Sequence, residues 1–277
     1  MVATWNFEFN DLTFGTDDYG VRKVEGLDPP ETRTDLIEKA EDHGSFVFAR
    51  YLTHRTITIE GDLVGDPNNG FEDKVTDLRA AMIPQESVSP LTFLIPGAVE
   101  KVVYAKPIRC SFPIDVAYGL GTCEWAVQLV AEDPRIYSSE LFATTLVPLV
   151  EFGIGFDVAF DLDFGGATGN TASAINEGTF PTPPITRIDG PVTNPKVTNV
   201  TVDKFLRVEL EVPVGQYLIL DHQARTVKLG GTASRYSQLT PDSEWWQLAP
   251  GDNDLRFDGE GEGGSTLATV SWRSAWN

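Results

Sequence analysis

This sequence of 277 residues is poor in the side chains that carry chemistry. It has two cysteines and three histidines, and 41 acidic residues outnumber 21 basic ones for a formal net charge of −20. Three dispersed histidines offer no metal-ligand spacing. Lys and Arg never cluster beyond a loose group of Arg50, His54 and Arg55, so there is no basic face to grip phosphate. The acidity, with a pI near 4.4, favours solubility and repels nucleic acid and anionic membranes, although a well-solvated surface accounts for most of it. No apolar run approaches the ~20 residues of a membrane span. The opening Met1–Glu8 lacks the basic-then-apolar order of a signal peptide, so the expectation is a chain that stays in the cytoplasm where it is made unless an assembly carries it elsewhere.

Catalytic patterns are missing too. There is no Gly-x-Ser-x-Gly, and His43, His54 and His222 sit in turn-like or polar surroundings, with His222 read as a turn residue. A glycosidase needs two carboxylates ~5–9.5 Å apart with one raised pKa, and nothing singles out a pair. The glycines of Gly259–Gly264 alternate with acids that repel a phosphate, which reads as a mobile loop. No catalytic, cofactor-binding or metal-ligating residue is nominated, and no cofactor is implied.

The two cysteines invite a disulfide, and register argues against it. Ile108–Val116 and Thr122–Ala131 read as the arms of a hairpin turning at Tyr118–Gly121. Cys123 then faces the region of Val116 and Cys110 that of Leu129, an offset of ~20 Å along a strand against a limit of ~7 Å between bridged Cα atoms. Both read as free thiols packed as small apolar residues.

What the sequence does have is strand and turn signal. Trp5–Phe9 and Arg55–Glu60 alternate, the latter with Ile57 and Ile59 on one side and Thr56, Thr58 and Glu60 on the other. Further strands are predicted at Val21–Glu25, Phe46–Leu52, Leu91–Ile95 and Val102–Lys106. One helix interrupts them: Asn69 and Glu72 suit a capping box, Phe71, Val75, Leu78 and Met82 form one apolar stripe, and Pro84 stops it. Thr34–Asp42 suits either a short helix or an extended arm.

Phe156–Phe164 then alternates apolar residues with Asp157, Asp161 and Asp163. Carboxylates spread ~6.6 Å apart along a strand, with no bidentate Glu, suit solvent better than calcium. The glycines of 165–169 and prolines of 181–184 mark a boundary. Beyond it, Leu206–Val212 alternates, Tyr217–Leu220 and Arg225–Leu229 flank a turn at Asp221–Ala224, and Ala268–Arg273 alternates again, the pattern of an antiparallel sandwich. The division is 1–139 for a first domain, 140–175 for a connector and 176–277 for a second domain.

The aromatic and turn motifs have an order of their own. Leu52–Gly65, the helix at Phe71–Ile83 and Glu132-Asp133-Pro134-Arg135-Ile136-Tyr137-Ser138 lie in the first part, and Phe156, Phe160 and Phe164 in the connector. The second part holds Asn176-Glu177-Gly178, Ile188-Asp189-Gly190-Pro191, Thr193-Asn194-Pro195, Trp245-Trp246-x-Leu248-x-Pro250-Gly251-x-Asn253 and Arg273-Ser274-Ala275-Trp276. In this order they resemble the distal tail proteins of long-tailed (siphovirus-type) phages, in the branch typical of phages of actinobacteria.

The resemblance implies a mainly β fold: an N-terminal split-barrel ring domain with one helix and a C-terminal galectin-like antiparallel β-sandwich. It implies a structural virion protein at the tail tip, made in the host bacterial cytoplasm. A homohexameric ring would receive the tail tube protein, meet the baseplate hub or tail-associated lysin, neighbour the tape measure and receptor-binding proteins, and leave a channel for DNA. An acidic lumen would pass DNA without binding it, so no specific nucleic-acid binding and no membrane contact are expected. Ring contacts are assigned to the first domain, where the cysteine hairpin and the Thr34–Asp42 arm supply sheet edges. The second domain has the size of one sandwich, leaving no room for the inserted carbohydrate-binding module that some members of this family carry. The rival reading is a lectin-like module for host cell-wall glycans, resting on Trp245 and Trp246, which in a strand would face opposite sides; burial of both is the reading preferred here.

Overall fold

The computed structural model describes residues 5–148, 170–260 and 266–277. The residues form two compact units that divide between Ser139 and Glu140, and each is mainly antiparallel β. The alternating stretch Phe156–Phe164 and the loop core 261–265 lie outside the described residues.

In the first unit an antiparallel path runs, edge to edge, through Leu12–Phe14, Asn6–Phe9, Ser89–Leu94, Lys101–Ser111, Thr122–Ala131, Arg55–Val64 and Tyr19–Glu25. The long strand Lys101–Ser111 serves two neighbours in turn: residues 101–105 pair with 89–93, and 106–111 pair with 126–130 across a register shift at Pro107/Arg109. Proline removes a ladder donor, and the shift lets one strand leave one sheet and join the next. The strand Arg55–Val64 alternates buried and half-buried residues along nearly its whole length. Phe7, Phe9, Phe14, Ile57, Ile59, Leu91, Val103, Val127 and Leu129 are fully buried, each contributing about 1.5–3 kcal/mol of apolar transfer.

The helix spans Phe71–Ala81 and buries Phe71, Val75, Leu78 and Ala81, with Met82 just beyond it also buried. Its start differs from the capping-box expectation. Gly70, at φ 81°, is the N-cap and no side chain caps it. Glu72 instead bonds the Tyr118 hydroxyl and Arg79. Asn10 Nδ2 donates to Ala81 O at 2.8 Å and Tyr19 Oη to Lys74 O at 2.9 Å, fixing both ends of the helix.

The cysteine hairpin is also shifted from its predicted register. The first arm ends at Ser111, and a short helix, Val116–Gly119, capped by Asp115, occupies the connection. Cys110 therefore pairs with Val127, four residues along from Cys123 and about 13 Å away along the strand. Both thiols are free, Cys123 buried and Cys110 half-buried, and burial raises the pKa of each, which keeps them protonated and unreactive. Residues 126–130 lie between two partners, Arg55–Val64 and residues 106–111, whereas residues 122–125 are paired on one side only among the described residues.

The second unit is a pair of sheets around one core. One sheet runs Phe142–Leu146, Leu267–Trp272, Ile185–Asp189, Tyr217–Asp221, Thr226–Leu229, Ala233–Ser234; the other runs Thr171–Asn176, Gly251–Glu260, Val192–Asn199, Lys204–Arg207, with Glu211–Val212 also on Val192–Asn199. Ile188, Leu218, Leu220, Val227 and Val270 from the first sheet and Val197, Leu206, Leu255 and Phe257 from the second form one buried cluster. The stretch read as a connector thus contributes a strand at each of its ends, Phe142–Leu146 and Thr171–Asn176. The predicted run Leu206–Val212 keeps its buried alternation at Leu206, Val208 and Val212 but breaks as a strand at 208–210.

Two buried asparagines explain the turn motifs. Asn176 donates from Nδ2 to Phe180 O (2.8 Å) and Leu248 O (3.3 Å) and accepts at Oδ1 from Gly178 N (3.1 Å) and Ala275 N (3.2 Å). Asn253 accepts from Ala249 N (2.8 Å) and donates to Ala249 O (2.8 Å) and Gly251 O (3.0 Å). A Cβ on Gly178 would sit 1.8 Å from Ala275 O, so only glycine fits there. These motif residues hold chain segments together; buried amides need such complete pairing.

Candidate interaction surfaces

Among the described residues the Thr32–Glu38 and Ser45–Leu52 strands pair only with each other. This settles the Thr34–Asp42 ambiguity in favour of an extended arm. All seven residues of Thr32–Glu38 are exposed. Ile37 lies opposite Phe46 and Leu36 opposite Val47. Opposed residues share a face and neighbours alternate, so one face carries Ile37 and Phe46 and the other Leu36 and Val47. Leu36 is 63% and Phe46 55% exposed, and Phe48 and Tyr51 are exposed beside them. A lone two-stranded hairpin is at best marginal in water, and a contiguous apolar patch marks a contact surface. This arm has one on each side.

The root of the arm is fixed by Arg55, which sequence reading placed in a loose basic group. It is only 1% exposed. Its Nη1 donates to Gly26 O (2.7 Å) and Asp28 O (2.5 Å), and its Nε to Pro134 O (2.8 Å). Gly26 and Asp28 precede the outgoing strand and Arg55 follows the returning one, so a single guanidinium ties both legs to the Asp133-Pro134-Arg135 turn. Burial lowers its pKa, a cost that hydrogen bonds to three carbonyls reduce, while Nη2 is buried with no partner among the described residues. Thr53 N to Glu31 O at 2.9 Å closes the same root.

In the second unit, Pro181, Val202, Lys204, His222, Arg225, Trp245, Trp246, Gln247 and Ala249 line a pocket of about 360 Å³, within the range usual for small-ligand sites. His222 is not the exposed turn residue its neighbours suggest. It is 3% exposed, with Nδ1 3.0 Å from Trp246 O and Nε2 3.3 Å from Thr186 Oγ1. A carbonyl only accepts, so Nδ1 carries the proton and the Thr186 hydroxyl donates to Nε2. Burial pushes its pKa down to about 4, against smaller upward effects of the Trp246 carbonyl and Asp221. Its ring meets Trp246 at 4.2 Å and Trp245 at 5.5 Å, both edge-on.

The two tryptophans do not lie in a strand, so alternation does not apply to them. Trp246 is buried and Trp245 half-buried, its ring stacked near Tyr236 at 6.5 Å and 16°. Both indole Nε1 atoms are buried without a hydrogen-bond partner among the described residues. The buried basic side chains Arg55 and His222 escaped sequence reading. For Arg55 a signal existed, its position on the Ile57 and Ile59 side of an alternating strand. His43 and His54 are exposed. Among the described residues no group of three or more His, Cys, Asp or Glu is placed to hold a metal ion, and no helix is long and apolar enough to cross a membrane. The aspartates 157, 161 and 163 lie outside the described residues.

The fold and these surfaces define a mainly β protein with two antiparallel units and, among the described residues, a two-stranded hairpin outside the larger sheets. Residues 177–276 match the family described as siphovirus-type tail component, C-terminal domain. Among solved structures, the Dit protein of phage SPP1, described as a paradigm of the hub adsorption apparatus in phages infecting Gram-positive bacteria, matches at a TM-score of 0.69. The match has 14% identity and covers 99% of this chain and 100% of that one. A chain of the phage P2 baseplate in its activated conformation with Ca matches at 0.51, with 11% identity over 98% of each chain. At these identities the likeness establishes the fold, as a mainly β architecture shared end to end. No curated protein matches by sequence.

Proposed function

We propose that this protein is the distal tail protein of a long-tailed phage, of the branch found in phages of actinobacteria: a structural, non-enzymatic subunit of the virion tail tip. Copies form a hexameric ring through the first unit, join the tail tube to the baseplate hub or tail-associated lysin, and leave a channel for DNA. The observation that carries this reading is end-to-end likeness to a phage hub protein, 99% of one chain on 100% of the other, alongside the tail-component match over 177–276. The arm supports the self-assembly part. Its two apolar faces suit a hairpin clamped between neighbours, and its two outer strand edges are unpaired among the described residues. The second unit is proposed to be a galectin-like sandwich. The −20 charge leaves contact surfaces to be apolar or paired, so salt strengthens assembly, and it suits a lumen that passes DNA without holding it.

The test is solution mass by light scattering with negative-stain imaging at low and high salt. A holed particle near six times 30.4 kDa, more abundant at high salt, is the expected result. A monomer that also fails to form rings when mixed with the tail tube protein would overturn the reading. Nanomolar, salt-sensitive binding of duplex DNA would remove the channel argument.

A further inference from the structure

We propose that the pocket walled by Trp245, Trp246 and His222 is a binding site for an acidic saccharide, a sugar ring carrying a carboxylate or phosphate. The charge of its lining runs against that of the chain. Acids outnumber bases 41 to 21 overall, yet among the described residues the lining holds two cations, Lys204 and Arg225, and no carboxylate. Lys204 is paired with Glu244 at 2.9 Å at the rim. Arg225 is exposed and has no hydrogen-bond or ion-pair partner among the described residues. Its backbone, at φ 53°, follows the turn in which Asp221 Oδ1 accepts from Gln223 N and Ala224 N at 2.9 Å each. The turn fixes the backbone from which this side chain springs, and the planar guanidinium fork matches a carboxylate or phosphate in two parallel bonds.

The ring of the ligand is specified by the aromatics. Trp245 is half-buried, edge-on to His222 and offset-stacked with Tyr236, and it lines the pocket; an indole is a flat apolar surface of the kind that takes the C–H face of a pyranose. A nucleotide base would call for a slot between two free aromatic faces, and Trp246 and His222 are buried at 2% and 3% exposure, which leaves Trp245 alone among the aromatic rings of the lining partly open. The bonds that fix His222 to Trp246 and Thr186 hold the walls in place before a ligand arrives, which lowers the cost of binding. Pro181 and Val202 extend the apolar floor. The volume, about 360 Å³, suits one or two sugar units rather than a long chain in a groove.

This inference concerns the second unit alone and stands whether or not the chain forms a ring, so its failure and that of the tail reading are separable. The test is saturation-transfer NMR of the full chain with methyl glucuronide and methyl galacturonide against methyl glucoside and methyl galactoside, at millimolar concentration. The expected result is transfer to the uronides, bound about tenfold more tightly than their neutral partners. Arg225→Gln removes that preference with the near-ultraviolet circular dichroism of the tryptophans unchanged, and Trp245→Phe weakens both acid and neutral sugars. Equal binding of neutral and acidic sugars, no transfer to either, or uronide binding unaffected by Arg225→Gln would overturn it. Tighter binding of adenosine monophosphate than of any sugar would overturn it in favour of a nucleotide site.

Discussion

Two hairpins of this chain show how differently the same local structure can end. Thr32–Glu38 with Ser45–Leu52 is fixed at its root and bare along its length; Tyr217–Asp221 with Thr226–Leu229 is fixed at its turn and built into a sheet. Each is held by one buried basic side chain that bonds backbone carbonyl oxygen: Arg55 at the root of the first, His222 in the turn of the second. The difference lies in the pattern of apolar residues. Leu218, Leu220 and Val227 alternate with half-buried or exposed neighbours and satisfy one core face. In the arm the consecutive Leu36 and Ile37, and Phe46, Val47 and Phe48, load both faces. A strand with one apolar face is completed by its own domain, whereas one with two needs more than its own domain supplies.

Substitutions at the two anchors and on the bare faces break this contrast in a graded way. The largest effect is expected from Arg55→Met, which leaves Gly26, Asp28 and Pro134 carbonyls without their donor and costs about 3 kcal/mol or more of stability in urea unfolding. An unchanged midpoint would show that the arm root is held by something else.

His222 gives a pH signature of similar size. Its pKa is about 4 in the folded chain against about 6.5 unfolded, so between these values the unfolded chain binds the extra proton. The contribution is complete above pH 6.5 and is lost as pH falls toward 4, an order-of-magnitude loss of about 3 kcal/mol. His222→Phe should flatten the stability–pH curve of the wild type in that window; parallel curves for the two proteins would refute the assignment.

Smaller still is the turn itself. Asp221→Ala removes the acceptor for two backbone N–H groups and should cost about 1 kcal/mol in thermal unfolding. At the other end, Leu36→Ser with Phe46→Ser should leave monomer stability within about 0.5 kcal/mol, because both side chains are already in water, while abolishing assembly by light scattering. A ring that survives this double change would mean that the arm is not a contact.

Much of the fold was legible because periodicity reports burial. The stripe Phe71, Val75, Leu78, Met82 and the alternation around Ile57 and Ile59 both appear where the spacing puts them. The helix cap was misread because a capping box is a local preference that Gly70 and the pull of Tyr118 on Glu72 override. The cysteine hairpin slipped because the short helix Val116–Gly119 consumes residues that a tight turn would have left to the strand. His222 was invisible because its burial comes from residues twenty or more positions away, Trp245 and Trp246, whose own placement depends on the sandwich closing. For the pocket, the aromatic pair was readable but the lack of a carboxylate in its described lining was not, since that depends on which loops meet. The arm was half readable: its apolar content was plain, its lack of cover was not.

The bare hairpin also bears on the life of the chain before assembly. A newly made chain offers, among the described residues, two unpaired strand edges and apolar side chains on both faces, which is the template for edge-to-edge aggregation. The register shift between Thr34 and Leu36 and the charges of Arg33, Lys39 and Arg50 interrupt that template without removing it. Copies made in excess of their partners are therefore the vulnerable species, and chaperone demand during overproduction should track the arm rather than the two domains.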